Sequence, residues 1–219
     1  MPGRILEAGF LFDMAVDAAR NISAESRQEG QSAALVSVVF AVISLEAFLN
    51  EATEVAQDVQ QVKSEPETVA AFAQLMEEAE RLPLDTKFKL STWLLTGKRA
   101  DIGKQPYQDF LLLVGLRNAL VHFKPNYPWN TFEEAENLRQ KEIIKRLESK
   151  NILAMKVFGH GSWTSLIQTK AVAVWACCAA AAMVNGFVNC IPQRGRWAFT
   201  LRNVKDNFVN SVKEFRPKG

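Results

Sequence analysis

Ala33-Ala34-Leu35-Val36-Ser37-Val38-Val39-Phe40-Ala41-Val42-Ile43-Ser44-Leu45-Glu46-Ala47-Phe48-Leu49-Asn50-Glu51 decides the fold. The longest helix suggested by the sequence, Ser32 to Ala56, contains it, and its first part is apolar all round. Such a helix either lies at the centre of a bundle or spans a membrane. Only about a dozen residues separate Ser32 from Ser44, and a charged Glu46 follows, so a bundle core is the expectation. Glu46 has two readings: a partly exposed helix carboxylate, or the partner of a buried arginine or histidine.

The flanking chain has the same character. Leu6, Phe10, Met14, Val16 and Ala18 recur at helical spacing and predict a helix over Ile5 to Arg20. Asn21 to Gln31 is a polar break. Ser64-Glu65-Pro66-Glu67 signals a helix start, with proline in the first turn, and Leu82-Pro83 ends that helix. A short helix over Asp85 to Leu95 is followed by a basic loop, Thr96 to Gln105, carrying Lys98, Arg99 and Lys104. Pro106 then opens another helix, and Pro125 and Pro128 close it. Thr131 to Glu134 is a capping box that starts a charged helix to Lys150.

Residues 152–167, with Gly159-His160-Gly161 at their middle, read as a small β-hairpin. Residues 171–193 carry no charge, which raises the question of a span. They are built of alanine more than leucine and continue into Asn185, Gly186 and Asn189, so a tightly packed buried helix is expected. Trp197 to Phe215 is a basic amphipathic helix. The fold class is therefore all-α: one domain over residues 1–219, a bundle of about seven helices with its core over residues 30–150 and a helical extension over 169–215.

Composition narrows the classes. The chain has 219 residues, 48% of them hydrophobic, enough for a substantial core. Arg4, Glu7, Asp13 and Asp17 interrupt any apolar leader. Cys177, Cys178 and Cys190 are odd in number and lie in an apolar stretch, which points to reduced thiols and a cytoplasmic location. A net charge of +2 conceals an asymmetry. Residues 1–86 carry 5 Lys+Arg against 15 Asp+Glu, residues 87–190 carry 14 against 7, and residues 191–219 carry 7 against 2. That distribution suits one face for an anionic partner, although charges that merely solvate helix faces produce the same count.

No Gly-rich phosphate loop, Cys-x-x-Cys or His-Glu-x-x-His is present, so neither a cofactor nor a metal is expected. His160 reads as a turn residue. What remains is the helix Asp109 to Pro125, almost wholly apolar until it presents Arg117, Asn118 and His122. Charge on so apolar a helix has to be paired or used. Arg117 and His122 are five residues apart, or roughly 140° around an ideal helix. They converge only if the last turn loosens before Pro125, or if two copies of the helix meet across a two-fold axis. A purely structural role, with Arg117 bridged to Glu46 and His122 capping the helix, accounts for the same residues.

Arg117-Asn118-Ala119-Leu120-Val121-His122 resembles the arginine, polar residue, spacer, histidine motif of HEPN-domain proteins. Ile43 to Glu51 is similar to the earlier core helix of that family, and the order of elements agrees over roughly residues 30–150. The resemblance implies an often dimeric α-helical bundle. Many members are metal-independent endoribonucleases of toxin–antitoxin, CRISPR and phage-defence systems, and others are inactive nucleotide- or protein-binding scaffolds. By residue match, Arg117 and His122 are the expected catalytic pair with Asn118 beside them and Glu46 in support. Lys124, Lys98, Arg99 and Lys104 are expected to hold flanking phosphates. Lys124 stands where some members carry a modifiable tyrosine two residues after the histidine, so that control is not implied here. The expected partners are single-stranded RNA, a second copy of the chain and an antitoxin or other protein. A membrane-associated helical protein using residues 171–193 is the weaker alternative.

Overall fold

The computed structural model describes residues 7–22, 29–62, 65–122, 138–153 and 163–215. Among the described residues there are nine α-helices and no strand. They are α1 (Glu7–Arg20), α2 (Glu29–Val59), α3 (Glu67–Glu78), α4 (Leu84–Thr96), α5 (Tyr107–Val121), α6 (Leu138–Ser149), α7 (Trp163–Ile167), α8 (Lys170–Cys190) and α9 (Arg196–Ser211). A 3₁₀ turn over Lys213–Phe215 follows α9.

The two most apolar helices form the centre. α2 packs against α1, α3, α5, α7, α8 and α9, and α8 packs against α1, α2, α4, α5 and α9. Along α2 the fully buried residues include Ala34, Val38, Ala41, Leu45, Phe48 and Ala52. Their steps alternate between four and three residues, the spacing of a seam that interlocks with neighbouring helices. Ser37 and Ser44 are also buried, and each donates its hydroxyl to a carbonyl of its own helix, Ala33 at 3.0 Å and Ala41 at 2.9 Å. On α8 the buried residues are mostly small, Ala173, Ala176, Cys177, Ala179, Ala180 and Ala181 among them. Small side chains let neighbouring helices approach closely.

Phe187 of α8 is the hub of an aromatic cluster. Its ring meets Phe48 of α2 at 5.4 Å and Phe72 of α3 and Phe88 of α4, each at 5.9 Å, all in edge-on or steeply tilted geometry. Trp197 of α9 packs on Phe72 and donates its indole N–H to the Ala52 carbonyl at 2.9 Å. Phe12 of α1 stacks on Phe208 of α9 at 4.1 Å. The segment over 169–215, read from sequence as an extension, thus supplies one of the two central helices.

Two helices, Ser32–Val59 and Lys170–Cys190, are long and apolar enough to cross a membrane, with mean hydropathy of 2.2 and 1.9 over their best windows. Within the bundle, 50% and 61% of those windows are buried. Protein neighbours, including the charged α3 and α9, cover them.

The structure corrects the reading at several places. Trp163–Ile167, expected as the second arm of a β-hairpin, is helical, with Trp163 and Ile167 buried. Residues 154–162, including His160, lie outside the described residues. Pro66 occupies the N-cap of α3, just before the helix and not within its first turn, and no side chain caps that end. The capping box at Thr131 lies outside the described residues, and α6 is described from Leu138.

Candidate functional site

α5 carries the site suggested by the sequence. Gly97, at a φ of +68°, ends α4 in the left-handed conformation that glycine adopts without strain, and its N–H bonds to the Trp93 carbonyl at 2.8 Å. The basic loop follows, and α5 then runs inward, burying Tyr107, Phe110, Leu112, Leu113, Leu116 and Ala119. Its position is fixed from several sides. The Tyr107 hydroxyl donates to the Phe88 carbonyl at 3.0 Å and lies 2.6 Å from the Thr92 hydroxyl. Asp109 forms an ion pair with Lys150 at the end of α6, at 2.9 Å. α5 also packs on α2 and α8.

At the other end of α5 the burial gives way. Arg117 and Asn118 are half-buried, and Val121 and His122 are exposed. One terminal nitrogen of Arg117 donates to the side-chain oxygen of Asn118 at 3.1 Å. Its Nε is buried without a hydrogen-bond partner. A guanidinium held through one arm has terminal N–H groups left that can donate to the oxygens of a ligand, while the buried Nε is closed to solvent. His122 has left the helix: it is the C-cap, at φ −103° and ψ 32°, and its N–H bonds to the Asn118 carbonyl at 3.0 Å. Asn118 thus links the pair, its side chain holding Arg117 and its backbone anchoring His122. Among the described residues no hydrogen bond or ion pair joins Arg117 directly to His122, and none joins Arg117 to Glu46. The bridge expected for a purely structural arginine is not formed.

The other site residues are spread more widely. Glu46 is exposed on α2 and lines a pocket made with α3 and α4. Lys98, Arg99 and Lys104 are exposed in the loop before α5, with Lys104 paired to Asp101 at 3.2 Å. That loop lies at the N-terminal end of α5, and the Arg117–His122 group lies at its C-terminal end. At about 1.5 Å per residue, roughly 20 Å of helix separates them. Within one chain these cations therefore stand far from the pair. Lys124 lies outside the described residues.

Sequence reasoning missed Lys87 of α4. It is only 8% exposed, and with Phe88 and Ser91 it forms the buried face of its helix. The signal was present: a lysine and a serine at positions i and i+4, on the stripe that an amphipathic helix turns inward. It also missed Glu51, which caps α1 by accepting the Ala8 N–H at 2.7 Å. Burial pushes the Glu51 carboxyl above the usual carboxylate range, against the lowering effect of the Ala8 and Glu7 N–H groups.

Among the described residues no group of three or more His, Cys, Asp or Glu side chains is arranged to hold a metal ion. The three cysteines are free. Comparison with protein-family models, with curated proteins and with solved structures gave no match.

Proposed function

We propose that the chain is a metal-independent endoribonuclease of HEPN type acting on single-stranded RNA, with Arg117 and His122 as its reacting groups and Asn118 positioning both. The observation that carries this reading is the end of α5. There a half-buried arginine with an unpaired Nε stands one turn before an exposed histidine, and one asparagine ties the two together.

RNA contains its own nucleophile, the ribose 2′-hydroxyl. Cleavage needs a base for that proton, an acid for the leaving 5′-oxygen and positive charge on the crowded phosphate. Histidine, with an ordinary pKa of about 6.5, serves either proton role near neutrality. Arginine stays charged and grips two phosphate oxygens with its planar fork. The carbonyl end of a helix carries partial negative charge, so Arg117 holds the phosphate against that field. The expected products are a 2′,3′-cyclic phosphate and a 5′-hydroxyl.

One chain supplies one histidine to this site, and two proton roles are to be filled. Two copies meeting at their α5 ends would provide both, and the exposed Val121 beside His122 gives that end an apolar contact surface. In this arrangement the loop cations of each copy guide the strand on either side. A toxin or phage-defence setting, an antitoxin partner and a cytoplasmic location accompany this reading.

The test is cleavage of a single-stranded RNA by the purified chain in excess chelator. Wild type cleaves, His122→Ala and Arg117→Ala lose at least about a hundredfold in rate, and Asn118→Ala loses less. Equal rates for wild type and His122→Ala would leave the second reading, a catalytically inactive scaffold that binds a nucleotide or a protein. The missing Arg117–His122 contact within one chain favours that second reading if the chain proves monomeric.

A further inference from the structure

The pocket between α2, α3 and α4 has a volume of about 410 Å³, within the range of small-molecule sites. Arg117, Asn118 and His122 do not line it, so it is separate from the α5 site. Its rim is acidic: Glu46 and Glu54 from α2, Glu77 from α3 and Glu80 just beyond its end, all exposed. Leu49 and Met76, both buried, give it an apolar floor. Lys87 lines it from α4. Ser91, one turn on along the same buried face, places its hydroxyl 3.7 Å from the Met76 sulfur. Among the described residues the Lys87 ammonium has no hydrogen bond or ion pair, although four carboxylates share its pocket. Lys87 as a residue is only 8% exposed, and its ammonium opens on the pocket, where a ligand can pair with it.

We propose that this pocket binds a basic amino acid, an arginine- or lysine-like zwitterion. The ligand's carboxylate accepts from Lys87, its methylenes lie on Leu49 and Met76, and its guanidinium or ammonium groups meet the glutamates of the rim. Only a ligand carrying both signs of charge satisfies both ends of the site. A simple anion meets the acidic rim, and a simple polyamine leaves Lys87 unpaired. Guanidinium suits the rim best, because its planar fork pairs with carboxylates through two parallel bonds.

Calorimetric titration of the full chain with L-arginine, and with agmatine, which is the same molecule without its carboxylate, tests the assignment. L-arginine binds saturably at one site, and agmatine binds roughly tenfold more weakly, the difference made by one charge-assisted hydrogen bond. Lys87→Met, matched in volume to its buried position, abolishes the preference and leaves the two ligands equal. The double variant Glu77→Gln, Glu80→Gln changes only exposed residues, so it folds whatever the fate of the lysine variant, and it weakens both ligands. Absence of saturable binding by either compound overturns the assignment. So does agmatine binding as tightly as L-arginine, or an unchanged affinity in the rim variant.

Discussion

At the scale of single residues, the inward faces hold a few groups whose chemistry is set by burial. Cys177 is buried on α8, and desolvation pushes its thiol up to about 12. The reactive thiolate is then a minor species, about one part in ten thousand at pH 8. Cys177 in the native chain should therefore react with a soluble thiol reagent far more slowly than in urea, as mass spectrometry of the labelled peptide would show. Glu51 carries a pH signature. Its folded pKa is raised above the unfolded value, so its protonated form is the one favoured by folding. That contribution is fully present below the unfolded pKa and is lost as pH rises through the raised folded one. Compared with Glu51→Gln, the wild-type chain should therefore lose ground in its urea midpoint as pH rises from about 4 through the raised folded pKa. An unchanged difference across that range contradicts the assignment.

Residue identity alone made Arg117, Asn118 and His122 legible, because charge on an apolar helix is conspicuous in a sequence. It did not make Lys87 legible. A lysine between Thr86 and Phe88 looks like any solvated helix residue unless it is read together with Phe88 and Ser91 as one inward stripe. Of the two readings open for Glu46, the structure shows the exposed helix carboxylate: it sits on the exposed side of α2.

At the scale of elements, the apolar periodicity located α1, α2, α4, α8 and α9 within a few residues of their observed bounds. It failed at Trp163–Ile167. A Gly-His-Gly turn signal between two short apolar runs imitates a hairpin, and five residues such as Trp163 to Ile167 are too few to separate a period of 2 from one of 3.6. Nor does sequence spacing show how much of the core a helix supplies. α8 contributes Phe187, which touches aromatic rings on three other helices. Phe187→Ala should destabilise the fold by about 3–5 kcal/mol, read as a lowered urea midpoint with circular dichroism. A loss below about 1 kcal/mol would mean that α8 is peripheral after all. At Ala180, fully buried on the same helix, substitution by leucine should cost about 1–3 kcal/mol through overpacking.

At the scale of the whole molecule, the charge asymmetry of the sequence acquires a location. Acidic residues of the first part gather on α2 and α3 around the Lys87 pocket, and the loop before α5 presents Lys98, Arg99 and Lys104. The pocket rim and this loop thus suit ligands of opposite charge. RNA affinity should fall steeply with added salt, and substituting Lys98, Arg99 and Lys104 together by alanine should flatten that dependence, as filter binding across a salt series would show. The two long apolar helices are covered in the bundle by protein partners, so the chain should remain in the supernatant without detergent.

The central claim is the chemistry at the end of α5, and the most direct measurement is the identity of the RNA ends it makes. A single-stranded RNA is incubated with the purified chain in excess chelator, and the fragments are analysed by mass spectrometry. Fragments ending in a 2′,3′-cyclic phosphate and beginning with a 5′-hydroxyl, formed by wild type and absent with His122→Ala, are the predicted result. Intact RNA, cleavage that survives His122→Ala, or fragments with a 5′-phosphate would contradict it.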